Sequence, residues 1–228
     1  PFGPASWNPD REASELVKDA AGVVAIGRHM ADYIERWLGR QAAVIHPPIY
    51  GIGPFADYGN FERGLVTMIN PCAVKGLPIF LGTAARMPDV EFGVVAGWGT
   101  TSDDRRRLGL RANVRFLPNA SHIDEVLART RVLLMPSLWH EGFGLIVMES
   151  MLRGIPVVAS DSGGLVEAKH GTGYVIPVRT IERYEPVFDE HGMPRPVVPE
   201  NVLENVLEND PSPWVAALRE LLCDRARY

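Results

Sequence analysis

What this sequence lacks narrows it first. No apolar run approaches the roughly 18 residues that a membrane-spanning helix needs, so no membrane span is expected. No block of basic residues occurs either. The 23 Lys and Arg stand against 28 Asp and Glu, a formal net charge of −5, and nucleic acid is not an expected partner. Cysteine is scarce: Cys72 and Cys223 lie far apart and form no C-x-x-C pair. That argues against a structural zinc site or disulfide framework and for a reducing, cytoplasmic compartment. Five of the six histidines have no partner three or four residues away that would begin a metal site; His140, beside Glu141, is either a ligand contact or simply a loop residue. Metal-type D-x-D spacing is also missing, because Asp103 and Asp104 are adjacent. The opening PFGPASWNPD has no initiator Met, no positive n-region and no apolar h-region, so no signal peptide is visible and a fragment or processed chain is expected.

What is there is ordinary globular composition: 228 residues, 46% hydrophobic and 22% charged, enough for one large domain or a domain plus part of another. The runs GVVAI, AVIHP, LVTMIN, VEFGVVAG, NVRFLP, RVLLMPS, IPVVAS and GYVIPV read as strands. Between them RHMADYIERWLG, KGLPIFLGTAARM, HIDEVLART and FGLIVMESMLRG read as helices. Strands that are apolar runs rather than alternations fit a parallel sheet covered on both faces. The strand–helix alternation predicts a doubly wound, Rossmann-like α/β domain with its crevice at the carboxyl ends of the strands.

Three parts follow from this. Residues 1–48 hold one strand–helix–strand unit, too little for a domain, and read as the tail end of one. Residues 49–64, rich in Gly, Pro and aromatics, read as a linker, and 65–228 form the main domain. Within it, residues 179–213 are proline-rich and read as an ordered surface excursion with Tyr184, Phe188 and Val197 to bury. The tandem NVLENVLEN would put Val202, Leu203, Val206 and Leu207 on one face of a short helix, and a last helix would run from PWVAALRE to the chain end.

Several motifs compete for the chemistry. SDSGG, from Ser160, is similar to the nucleophile loop of trypsin-like proteases, but those are antiparallel barrels, and a triad is recognised by geometry. The plainer reading is a strand-to-helix turn with Ser160 or Ser162 capping the next helix. GWGTTS, from Gly97, half-matches a dinucleotide fingerprint without its third glycine and reads better as a tight turn. SDDRRR, from Ser102, reads as a helix start, acid first and base behind.

In INPCAVKG a strand ends at Asn70, the chain turns at Pro71, and a helix starts near Lys75. That is either a phosphate site at a helix N-terminus or a lysine over an exposed turn. In LWHEGFGLIVMES a helix begins near Phe143, with Glu141 just outside it and Glu149 two turns in, among Leu145, Ile146, Val147 and Leu152. A carboxylate on an apolar face is costly unless something donates hydrogen bonds to it. Two helix N-termini and Lys75 at one crevice suit a diphosphate, and two flanking carboxylates suit the hydroxyls of two sugars. The alternative is a buried structural Glu149 and an N-terminal charge at Glu141.

On these residues the sequence resembles the family 4 retaining glycosyltransferases, whose GT-B fold is two facing Rossmann-like domains. EGFGLIVMES matches their E-x7-E motif with Glu141 and Glu149, inside MPSLWHEGFGLIVMESMLRGIPVVASDSGGLVE; KGLPIFLGTAARMPDVEFGVVAGWG and NVRFLP continue the likeness, which runs over residues 22–228. The resemblance implies a hexosyltransferase acting with retention on a nucleotide-diphosphate sugar co-substrate, UDP- or GDP-linked, with no cofactor and no required metal. Glu141 and Lys75 would be catalytic. The donor hexose would meet Glu141, Gly142, Phe143 and Gly144; the phosphates Lys75, Asn70 and Leu145; the ribose Glu149; and the base the backbone at Phe116 and Leu117. Where the family commonly has an arginine five residues before the lysine, this chain has Asn70, which loses a fixed charge. The resemblance also implies an N-terminal acceptor domain, of which residues 1–48 would be the last piece, or a partner chain supplying it. An apolar face left exposed there could drive a homodimer. Two other readings compete: a non-catalytic nucleotide-sugar binding module completed by a partner chain, favoured by Asn70, and a nucleotide-sugar epimerase of related fold, which would need different acid–base residues.

Overall fold

A computed structural model describes residues 2–3, 6, 8–48, 51–197 and 210–228. The chain opens with α1 (Arg11–Asp19), started by the Asp10 carboxylate accepting from the Ala13 N–H. A small unit follows: β1 (Val24–Ala25), α2 (Arg28–Leu38) and β2 (Ala43–Val44), the two strands pairing in parallel. Gly39 takes the left-handed conformation that ends α2. Ala25, Ile34 and Leu38 form this unit's own small core.

The main domain is a six-stranded parallel sheet. Its elements are β3 (Leu65–Ile69), a 3-10 turn over Ala73–Lys75, α3 (Leu77–Arg86), β4 (Phe92–Val95), α4 (Ser102–Gly109), β5 (Val114–Leu117), α5 (Asp124–Leu127) and β6 (Thr130–Met135). Then come α6 (Leu145–Met151), β7 (Val157–Ser160), α7 (Leu165–Ala168) and β8 (Val175–Ile176). The spatial order β5-β4-β3-β6-β7-β8 is doubly wound, and the winding reverses between β3 and β6. The central strands are apolar on both faces, as runs such as FGVV require. One core packs α3 and α8 (Ser212–Cys223) on one face, with Phe80, Phe92 and Trp214 fully buried. A second, with Phe143, Val147 and Leu165, lies under α6 and α7.

The expected α/β domain is therefore present, with local corrections. The first predicted strand shrinks to two residues. The helix expected near Lys75 begins at Leu77, after a 3-10 turn, and the one expected near Phe143 begins at Leu145. In both cases a glycine at positive φ, Gly76 or Gly144, sits immediately before the helix and breaks it from the preceding turn. The last helix stops at Cys223, where Asp224 turns extended; Tyr228 then folds back, its hydroxyl donating to the Arg131 carbonyl. The excursion is a hairpin, β9 (Arg183–Phe188) and β10 (Pro194–Val197). Tyr184 packs on the core, but Phe188 is 63% exposed, contrary to expectation, because it sits at the hairpin's far end. The NVLENVLEN repeat, with Val202, Leu203, Val206 and Leu207, lies outside the described residues. Of the proposed linker, residues 51–64 carry no helix or strand, yet they are docked: Phe61 lies under the guanidinium groups of Arg131 and Arg225, and Phe55 under Arg153.

Gly76 joins the two central loops. Its φ is +81°, and a Cβ there would sit 1.9 Å from the Pro136 carbonyl oxygen. Gly76→Ala is expected to destabilise the protein by about 2 kcal/mol or more in chemical denaturation. Gly171→Ala, with similar φ but open space, should cost only about 1 kcal/mol. Equal losses at both sites would show that the close approach to Pro136 is not what demands glycine.

Candidate functional site

The reversal of the sheet leaves a crevice between the carboxyl ends of β3 and β6, and the loops that follow those strands fill it. After β3, the chain turns at Pro71, and the Cys72 carbonyl accepts from the Lys75 and Leu77 N–H groups, which presents Lys75 at the strand ends. After β6, the Leu138 and Trp139 N–H groups both donate to the Val74 carbonyl, so the two loops are stitched together. Glu141 then meets Lys75: its Oε1 accepts from Lys75 Nζ at 2.5 Å and from Ser137 Oγ at 2.6 Å. Glu141 is buried, and Lys75 keeps only 16% of its side-chain exposure. The sequence placed both residues at this edge without showing that they pair. No described residue donates a hydrogen bond to Glu141 Oε2.

A cleft of about 460 Å³ opens beside the pair. Lys75, Glu141, Gly142, Phe143, Gly144, Leu145 and Glu149 line it, so most of the expected site residues meet in one place. Ile69, Met135 and Ile123 supply apolar walls, and Ile26 of the small N-terminal unit closes one end. Those walls belong to no motif: Ile69, Met135 and Ile26 stand at or just past strand ends, and Ile123 immediately before α5. Glu149 stands half-buried with no hydrogen bond to its carboxylate from any described residue. Burial pushes its pKa up, partly offset by Arg153 and reinforced by Asp124. An ionised carboxylate in that position needs a donor from outside the chain.

Three expected contacts do not join this lining. Asn70 is buried at positive φ, and its carboxamide oxygen accepts from the Gly99 N–H at 3.0 Å and the Thr100 hydroxyl at 3.3 Å. The oxygen is thus engaged by the β4–α4 turn, while the buried Nδ2 has no hydrogen-bond partner among the described residues; Gly97 packs so closely there that a Cβ would lie 2.7 Å from Asn70. Phe116 and Leu117 sit on β5, beyond the cleft's lining, with Arg105 near the exposed Phe116 ring. SDSGG caps no helix. Ser160 Oγ donates to the Ser137 carbonyl and Ser162 Oγ to the Trp139 carbonyl, while α7 begins after Gly164 without a side-chain cap. SDDRRR does start a helix, with a capping box between Thr101 and Asp104. His140 stacks on His29, ring centroids 5.9 Å apart, and burial lowers both pKa values, so the pair is neutral near pH 7.

A doubly wound parallel sheet with Lys75, Glu141 and Glu149 in a cleft at its switch point defines the class: a Rossmann-like domain of the kind found in GT-B glycosyltransferases. A sequence profile for "Glycosyl transferases group 1" matches residues 64–185, more than half of the chain, and the chain belongs to that family. It is 34% identical over 127 residues to the D-inositol 3-phosphate glycosyltransferase of Mycobacterium bovis, covering 51% of this chain and 26% of that protein; the Mycobacterium tuberculosis protein matches equally. The chain thus spans about a quarter of the length of these curated relatives. Among solved structures it is similar to Anabaena HepE, crystallised with UDP and glucose (25% identity, TM-score 0.59, 75% of this chain and 53% of that one). It shares its fold with a glycosyltransferase from Rickettsia africae (13% identity, TM-score 0.58, 77% and 54%).

Two measurements probe the electrostatics. Because Glu149 binds its proton more tightly in the folded protein, ionising it costs stability as pH rises past the ordinary carboxyl range. Glu149→Gln should therefore raise the melting temperature at pH 7, and the gain should vanish toward pH 3. A gain that persists at pH 3 would point to packing instead. Lys75→Ala leaves a buried carboxylate with Ser137 alone and should cost about 3 kcal/mol in denaturant titration. Lys75→Ala combined with Glu141→Ala should cost clearly less than the sum of the two single changes.

Proposed function

We propose that this chain is the donor-binding half of a retaining, family 4 type hexosyltransferase of the GT-B architecture, working on the cytoplasmic side. The observation that carries the reading is the convergence of Lys75, Glu141 and Glu149 on one cleft at the switch point. The cleft offers one cation and two carboxylates with unfilled acceptor capacity, a match for a diphosphate between two polyhydroxyl groups. Glu149 accepts the ribose hydroxyls, which answers its burial on an otherwise apolar stretch of helix. Glu141 Oε2, with the backbone of Gly142, Phe143 and Gly144, takes the hexose. Lys75 exchanges Glu141 for the diphosphate. As the bond between the anomeric carbon and the diphosphate oxygen breaks, negative charge grows on the leaving group, and a pre-placed ammonium beside the amide-rich start of α6 offsets it. The base lies toward Ile123 and the backbone of Phe116 and Leu117. A UDP-linked donor is the first to try, since HepE was crystallised with UDP and glucose.

The acceptor side would come from a domain or partner chain joined at the small N-terminal unit. Among the described residues, β1 and β2 pair only with each other, and Val24, Ile26, Val44 and Ile45 are exposed. A second copy of the chain on the same apolar surface is the homodimeric alternative. No described helix is long and apolar enough to cross a membrane.

A second reading, a nucleotide-sugar binding module without catalysis, is favoured by Asn70. Among the described residues lining the cleft, Lys75 is the only cation, and Asn70, outside that lining, brings no charge. Calorimetric titration with UDP, GDP and ADP separates binding from its absence. One nucleotide should bind, and Lys75→Ala and Glu149→Ala should each weaken it about tenfold or more, the loss expected for one charged hydrogen bond. Unchanged affinity in both variants would remove the donor site from this cleft. Release of sugar from the matching nucleotide sugar by the full protein, abolished in Lys75→Ala, would favour the enzyme over the binding module.

A further inference from the structure

Resting on the donor-site reading above, we propose that Ser137 is a positioning residue for Glu141, and that the SDSGG turn is the frame that holds it. Glu141 Oε1 takes two donors, Lys75 Nζ and Ser137 Oγ. A diphosphate treats them differently. It competes for the Lys75 ammonium, because a diphosphate carries at least two negative charges on adjacent groups where the carboxylate carries one. It has no claim on Ser137, which is neutral and fully buried. Once Lys75 turns to the diphosphate, Ser137 alone fixes Oε1 and leaves Oε2 for a hexose hydroxyl.

Ser137 is held in turn from β7. Ser160 Oγ donates to its carbonyl at 2.6 Å, Ser162 Oγ to the Trp139 carbonyl at 2.5 Å, and the Gly164 N–H to the Glu141 carbonyl at 2.7 Å. Gly163 lies against the same loop: a Cβ there would come within 2.4 Å of the Glu141 carbonyl oxygen. Four of the five SDSGG residues thus each touch the loop from Ser137 to Glu141. Both serine hydroxyls are turned inward to carbonyls, the geometry of a brace and not of a nucleophile.

The test titrates the wild-type protein, S137A, S137C and S162A with UDP, GDP and ADP, then with UDP-glucose, GDP-mannose and ADP-glucose. S137A should hold its affinity for the bare nucleotide within about twofold and lose about tenfold of the extra affinity that the sugar confers, the size of one hydrogen bond to a charged group. S137C keeps the volume but is a weak donor, so it should behave like S137A. S162A, which leaves the carboxylate's own bond intact, should lose less than S137A. Equal losses for nucleotide and nucleotide sugar in S137A, no loss at all, or wild-type behaviour of S137C overturns the positioning role and leaves the donor site standing. So does a wild type that gains nothing from any of the three sugars. A wild type that binds none of the six compounds overturns the donor-site reading, and this proposal with it.

Discussion

A part-buried ammonium beside a buried carboxylate is the constraint on which the rest of this structure turns. Taking either charge out of water alone would cost several kcal/mol, and the two are tolerable only together and only with further hydrogen bonds. That condition demands that the loops after β3 and β6 approach closely. The sheet order supplies adjacency, since β3 and β6 are neighbours even though about sixty residues separate them in the chain. The Val74 carbonyl then takes two N–H groups from the facing loop, and Gly76 clears the space for Pro136. An ion pair built this way is also poised for exchange. Lys75 can turn to a more highly charged anion while Ser137 stays with Glu141 and keeps it in place.

The surroundings of the cleft divide into rigid and adaptable parts. Asn70 locks the β4–α4 turn, and the hairpin tip locks the start of α4: the Glu190 carboxylate accepts from the Ser102 N–H and hydroxyl. These contacts fix the loop after β4 and the start of α4. Glu149 belongs to the other kind. Its neighbour Arg153 is engaged by Asp124 and by the Glu149 carbonyl, so the carboxylate itself is left without a hydrogen bond. A carboxylate that burial disfavours, with no donor from the described residues, fits a residue placed for binding.

The small N-terminal unit bears directly on the site. Glu167 of α7 accepts from the Arg28 N–H, filling the uncapped start of α2, and its other oxygen contacts His46 at 2.7 Å. The His46 ring lies over Phe143, the residue between the two glycines of the EGFG turn. Movement of the N-terminal unit would therefore be felt at the loop that carries Glu141. Coupling of this kind needs no long pathway, since one carboxylate and one ring contact span the gap.

Much of the fold could be read from residue patterns. Apolar runs of strand length, separated by amphipathic helices, leave a parallel α/β sheet as the arrangement that buries them on both faces, and every predicted strand has a counterpart. The helix starts were missed by two residues because periodicity does not register a single glycine at positive φ. Among the site residues, Lys75, Glu141 and Glu149 were legible because charged groups among apolar neighbours at strand and helix ends stand out in any sequence. The partners of those residues were not. That Lys75 pairs with Glu141, that Asn70 turns to the β4–α4 loop, and that the SDSGG serines brace the Glu141 loop are matters of direction across distances of 23 to 66 residues. Sequence alone determined which chemical groups arrive at the carboxyl edge of the sheet, because local hydrogen bonding and burial set where each strand ends. Only the tertiary structure decided which of them face one another, because that depends on strand order and loop packing, which no local pattern encodes.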